Sequence, residues 1–277
     1  MISDSRHAAY VRVMMRYVLS LICLSSPLAA QPVTQDDVLR AELRPGWRSE
    51  SGQQFAALHL QLAPHWKTYW RAPGDAGVAP IFDWSGSENV GAVQIHWPRP
   101  EVFDFQGMQT IGYRGDVVLP VEITPKDPQR PVRLQAGVEL GVCNDICMPA
   151  ALSLAGLLPM TGAPDGMISD AMAAVPADAA RAGLTQVGCR VEDIQDGLRV
   201  TARLAIPPAP GHETVVMETD GPVWVSDSAV SREGSDLIAM ADFVPQPGQA
   251  FTFDPARLRL TILSPGQALE VTGCPIN

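Results

Sequence analysis

Between residues 37 and 160 the chain alternates in hydropathy. In "QQFAALHLQLAP", Phe55, Ala57, His59 and Gln61 fall on one parity, and Ala56, Leu58, Leu60 and Leu62 on the other. A period of two marks a strand with one buried face. "VLRAELRPGW", "APIFDW", "VGAVQIHWP", "DVVLPVEITP", "PVRLQAGVELGV" and "AALSLAGLLP" continue the series. Turn signals separate them: "ESGQ", "APGDAG", "SGSEN", "RGD" and "KDPQRP". Many short strands with almost no helical period predict an antiparallel sandwich of immunoglobulin-like type.

The pattern changes over residues 161–184. "TGAPDGMISDAMAAVPADAARAGL" is rich in Ala and Asp with spaced Met, Ile and Leu, and predicts one or two short helices broken near Pro176. Short strands resume in "QVGCRVEDI" and run to "QALEVTGC". The expected fold class is therefore all-β: two immunoglobulin-like β-sandwich domains, 31–160 and 185–277, joined by a partly helical linker.

The first thirty residues stand apart. Arg6, Arg12 and Arg16 precede the apolar run "YVLSLICL" and the small residues "SSPLAA". That order predicts an export signal cleaved after Ala30. The apolar run is too short to span a bilayer, and no later segment is long enough either. A soluble periplasmic protein is expected. Charged residues make up 18% and hydrophobic residues 46%, which is globular and not disordered. The formal net charge is −10 and becomes more acidic when the three arginines leave. Such a surface argues against nucleic acid and anionic lipid as partners.

Cleavage removes Cys23 and leaves Cys143, Cys147, Cys189 and Cys274. An even count in an exported chain predicts disulfides. "VELGVCNDICMPA" places Asn144 and Asp145, turn formers that tolerate left-handed backbone, between two cysteines flanked by strand. A tight hairpin would hold its two shoulders within disulfide reach. Cys189 and Cys274, assigned to the first and last strands of the second sandwich, would then form a structural bridge. As a staple the local pair closes a very small loop and gains little. Three readings stay open on the residues alone: a reducible disulfide, an inert one, or a soft-metal site. The last would use Cys143, Cys147 and Met148 for Cu(I), with Met108 and His65 contributing. No other metal site or cofactor is expected.

Residues 65–150 carry a resemblance. "HWKTYWRAPGDAGVAPIFDW", "IHWPRPEVFDFQGMQTIGYRGDVVLPVEI" and "GVCNDICMP" resemble, in order, the N-terminal periplasmic domain of the DsbD/ScsB family of thiol:disulfide interchange proteins. The resemblance implies that Cys143 and Cys147 are a redox pair. It implies as partners a membrane-embedded electron donor of DsbD/ScsB/CcdA type and thioredoxin-fold exported proteins. It also implies a cap loop in "FDFQG", with Phe105 as the shielding aromatic and Phe103 as the fallback. Tyr69, Trp70, Asp145 and Met148 are the expected lining. The three-residue spacing is shorter than in the best-known member of the family. The chain ends at Asn277 with no membrane segments or thioredoxin-like domain, so the donor is expected to be another polypeptide. No flanking Lys or Arg is evident, and Asp145 disfavours a thiolate. A relay opened by partner docking, with Cys147 the less buried sulfur, is the expected mode.

Overall fold

The structure is a computed structural model describing residues 33–105, 108–249 and 251–276; the expected signal segment lies outside them. After a single helical turn, α1 (Gln35–Val38), ten strands follow. They are β1 (Leu39–Arg48), β2 (Gln54–Leu62), β3 (Lys67–Tyr69), β4 (Ile81–Asp83), β5 (Val90–Ile95), β6 (Glu101–Phe105), β7 (Met108–Arg114), β8 (Asp116–Pro125), β9 (Val132–Cys143) and β10 (Cys147–Leu158). One sheet orders them β1-β2-β8-β5, and the other β10-β9-β3-β7-β6 with β4 added on β9. Every pairing is antiparallel, and the fold is all-β and immunoglobulin-like, as the alternation predicts.

The core lies where the two sheets face each other. Leu58, Ile123, Leu134, Leu158, Ile111 and Trp70 are fully buried there. Removing such side chains from water supplies the main driving force, about 1.5–3 kcal/mol for each large one. β9 shows the pattern most clearly. Val132, Leu134, Ala136, Val138, Leu140 and Val142 point inward, and the intervening residues point out.

The linker is no free tether. Helix α2 (Gly166–Ala173) starts at Asp165, whose carboxylate caps the Ile168 N–H at 3.1 Å and receives the Arg44 Nε–H at 2.9 Å. Ile168 is fully buried. The next residues belong to the second body: β11 (Ala177–Asp178) runs parallel to the last strand, and a 3-10 turn at Ala179–Ala182 follows. One helix forms, and Pro176 comes after it.

The second sandwich contains β12 (Gln186–Ile194), β13 (Gly197–Ala205), β14 (Thr214–Glu218), β15 (Val223–Val225), β16 (Ala229–Glu233), β17 (Asp236–Pro245), β18 (Arg259–Ser264) and β19 (Gln267–Thr272). Its sheets run β11-β19-β18-β14 and β12-β13-β17-β15, with β16 on β17. Phe243, Leu204, Leu237, Leu258 and Leu260 fill its core. Leu263 and Ala268 pack instead against the first core, so the two sandwiches share an apolar seam.

Candidate functional site

The β9–β10 hairpin pairs residue for residue from Val132↔Leu158 to Cys143↔Cys147. Its last rung is a disulfide, with the two Cα atoms 4.1 Å apart. Asn144–Ile146 closes the turn, with the Asn144 N–H donating to the Ile146 carbonyl at 2.9 Å. Asn144 and Asp145 close the turn without left-handed backbone. Cys143 is 1% exposed, whereas Cys147 and Asp145 are exposed and Ile146 is 57% exposed. The bond joins a buried cysteine to an exposed one.

Inward-facing Val142 and Leu140 leave Cys143 and Gly141 on the outer face of the sheet, away from the core. Register then sets a row across four strands: Cys147 opposite Cys143, Cys143 opposite Lys67, and Lys67 opposite Arg114. Directly opposed residues share a face. Tyr69, two residues after Lys67, lies on that face too. Its hydroxyl donates to Cys143 Sγ at 3.1 Å and lies 3.7 Å from Cys147 Sγ. Burial raises the Tyr69 pKa, so the phenol keeps its proton and remains a donor. The ring needs Gly141 beneath it: a Cβ there would lie 3.1 Å from Tyr69 Cε2. Thr68, on the opposite face, fixes the strand by donating its hydroxyl to the Gly141 carbonyl at 2.9 Å.

Beyond Tyr69 lies a second layer. Lys67 Nζ donates to Thr110 Oγ1 at 2.7 Å and sits 5.8 Å from the Tyr69 ring centroid and 5.0 Å from that of Phe103. The Arg114 guanidinium lies 4.3 Å over the same Phe103 ring. Burial, and then the Arg114 charge, lower the Lys67 pKa. Phe103 is buried at 7% and is reached through Lys67. Among the described side chains, Tyr69 is the aromatic bonded to the sulfurs. Phe105 pairs with Met108 at the end of the β6–β7 hairpin, and its side chain lies outside the described residues.

Two expected lining residues point elsewhere. Trp70 follows Tyr69 by one position, so the pleat turns it into the core, where it is fully buried. Met148 follows Cys147 by one position and packs against the core for the same reason. Its thioether is on the face opposite the cysteines, which removes the third ligand of the copper reading. Met108 is 53% exposed on the β6–β7 hairpin, and His65 is exposed between β2 and β3. Among the described residues no group of three or more His, Cys, Asp or Glu side chains could hold a metal ion. Lys67, Arg114 and Gly141 are the site residues that the sequence reading missed. Only a glycine inside a strand, "LGVC", signals one of them.

Residues 31–159 match the family model of the thiol:disulfide interchange protein DsbD, N-terminal. This stretch is a DsbD/ScsB-type N-terminal domain. The N-terminal periplasmic domain of ScsB from Proteus mirabilis superposes on the chain with a TM-score of 0.64 and 25% sequence identity. The match covers 88% of this chain and 96% of that one. No curated protein matches the sequence. These matches support a role in thiol–disulfide interchange in general terms. No helix among the described residues is long and apolar enough to cross a membrane.

The second disulfide lies outside the DsbD-type domain and is built differently. Cys189 on β12 joins Cys274, just past the end of β19, with Cα atoms 5.5 Å apart. Both cysteines are buried, at 1% and 0% exposure, within the second core. Backbone bonds hold each side: Cys189 N–H to the Pro275 carbonyl at 2.7 Å, and Cys274 N–H to the Pro255 carbonyl at 2.8 Å.

Proposed function

We propose that the protein relays electron pairs in the periplasm through reversible opening of the Cys143–Cys147 bond. One observation carries this reading: the bond joins an exposed cysteine, Cys147, to a buried one whose sulfur accepts a hydrogen bond from Tyr69. Exchange begins when a thiolate attacks one sulfur of a disulfide and expels the other. Access selects Cys147 Sγ as the point of attack. A donor thiolate bonds to it, the Cys143–Cys147 bond breaks, and Cys143 leaves as a thiolate. Tyr69 O–H stabilises that leaving charge, because hydrogen bonds to an ionised acceptor are the strong ones. Cys143 then takes a proton. The donor's second thiolate attacks the mixed disulfide and frees Cys147, which is protonated in turn. The donor dithiol loses two electrons and two protons, and the pair gains them. Passing them to an acceptor disulfide reverses the sequence.

The partners that fit are a membrane-embedded donor of DsbD/ScsB/CcdA type and exported acceptors of thioredoxin fold. Support comes from the DsbD-type match of residues 31–159 and from the similarity to the periplasmic domain of ScsB. Phe103, together with Phe105, is proposed to shield the outer face when no partner is docked. The test is a trap. Cys143→Ser leaves a lone Cys147 that is expected to accumulate mixed disulfides with exported proteins, resolved on non-reducing gels and identified by mass spectrometry. Cys147→Ser leaves only the hidden Cys143 and should accumulate few. Equal trapping by both variants, or by neither, contradicts the assignment.

A further inference from the structure

We propose that Arg71, gripped by Glu218 and Glu270 of the second sandwich, is a positioning residue for the redox pair. It fixes the strand that holds Tyr69 against the sulfurs, so the second sandwich sets the redox equilibrium of the first. The proposal rests on the relay reading above.

Tyr69 has no backbone rung of its own to the strand that carries Cys143. Strand β3 has three residues, and it is tied to β9 by the Lys67↔Cys143 rung and by the Thr68 hydroxyl on the Gly141 carbonyl at 2.9 Å. Tyr69 itself pairs with Gly112 on β7, the side away from the sulfurs. The chain stays on β7 as far as Pro73, whose carbonyl accepts from Ile111 N–H at 2.8 Å, with Trp70 N–H bonded to the Ile111 carbonyl at 3.0 Å. The residue after Trp70 is the anchor. Arg71 Nε lies 2.9 Å from Glu218 Oε1, and Nη2 lies 2.9 Å from Glu218 Oε2 and 2.7 Å from Glu270 Oε2. The three side chains are only 15%, 19% and 30% exposed. The guanidinium also stacks 4.1 Å over the Trp70 ring. Three consecutive residues therefore touch, in turn, the disulfide, the first core and the second sandwich.

A buried cation between two carboxylates tolerates little displacement. Removing one partner leaves an uncompensated charge, and a bidentate pair fixes direction as well as distance. Burial works against the Arg71 charge, and the bonds and charges of Glu218 and Glu270 outweigh it, raising its pKa above the usual value. Loosening the grip frees β3 on the side where no rung restrains Tyr69. The hydroxyl then bonds Cys143 Sγ less well. That bond favours the reduced sulfur over the disulfide sulfur, so its loss shifts the equilibrium toward the oxidised pair.

The experiment equilibrates the full mature chain with glutathione redox mixtures and quantifies the Cys143–Cys147 bond by alkylation and mass spectrometry. Tyr69→Phe is expected to lower the constant for reduction by about fivefold, the size of one net hydrogen bond. Arg71→Met and Glu270→Gln should shift it the same way by about two- to threefold. The double variant Tyr69→Phe/Arg71→Met should match Tyr69→Phe alone, because Arg71 acts through that hydroxyl. Arg199→Met, which breaks a separate ion pair with Asp242 in the second sandwich, should leave the constant unchanged. If Arg71→Met does not fold, Glu270→Gln decides, since Glu218 keeps its two bonds to Arg71. Wild-type constants in folded Arg71→Met or Glu270→Gln, or shifts that simply add in the double variant, overturn the proposal. A wild-type bond that no glutathione ratio opens would instead remove the relay reading, and this proposal with it.

Discussion

The two disulfides occupy opposite kinds of place. Cys189–Cys274 joins β12 to the chain just after β19 and sits inside a core, with both sulfurs hidden and both backbones bonded. Cys143–Cys147 closes a hairpin on the outer face of a sheet, with one cysteine exposed. In the chain-entropy model the first closes a loop worth about 4–5 kcal/mol, and the second one worth about 2 kcal/mol. The difference teaches where a sandwich keeps chemistry. The inward face of each strand is committed to packing, so a bond that must meet a partner lies on the outward face. There it needs its own small shell of Tyr69, Lys67 and Phe103.

The comparison breaks most visibly in stability. Cys189→Ala/Cys274→Ala should lose about 3–5 kcal/mol, read from guanidinium unfolding with a steeper slope as the unfolded chain expands, against about 2 kcal/mol or less for Cys143→Ala/Cys147→Ala. A reversed order would end the division into structural and working bonds. Gly141→Val tests the outer shell. Its Cβ meets the Tyr69 ring at 3.1 Å, so it should cost about 1–3 kcal/mol by overpacking. It should also move the glutathione equilibrium toward the oxidised pair. Gly137→Ala, on the same face of β9 with only ordinary contact to Asp83, should do neither.

The smallest effect lies at the seam between the two regions. Asp75 and Asp227 exchange backbone-to-carboxylate hydrogen bonds of 3.1 and 3.2 Å across it. Burial and then the Asp75 charge raise the Asp227 pKa. An acid whose folded pKa lies above its unfolded one favours the fold while protonated, and that contribution is lost as pH rises through the folded value. Asp227→Asn should therefore match the wild type in acid below the carboxylate range. It should gain up to about 0.5 kcal/mol at neutral pH after allowance for solvent screening. Unfolding midpoints across pH measure it, and an acid-side gain would contradict the sign.

Much of this was legible in the sequence because alternation reports on the pleat. The β9–β10 hairpin, the two sandwiches and the cysteine pairs could be proposed from it. The same pleat separates Tyr69 from Trp70 and Cys147 from Met148, yet a cluster of aromatics or a Cys-Met pair reads as one site until parity is applied. Lys67 was out of reach for another reason. It stands opposite Cys143 only through strand pairing, which single-chain periodicity does not encode. The Ala-rich linker looked like a tether because its two anchors, Arg44–Asp165 and the β11–β19 rung, are both long-range. Arg71 gave no sign for the same reason: both its carboxylates come from the other sandwich.

The most direct test treats the native, fully oxidised protein with millimolar glutathione, quenches by alkylation, and maps all four cysteines by mass spectrometry. Cys143–Cys147 should open with the first glutathione adduct on Cys147, while Cys189–Cys274 stays intact. Equal resistance of both bonds, or a first adduct on Cys143, would contradict the account.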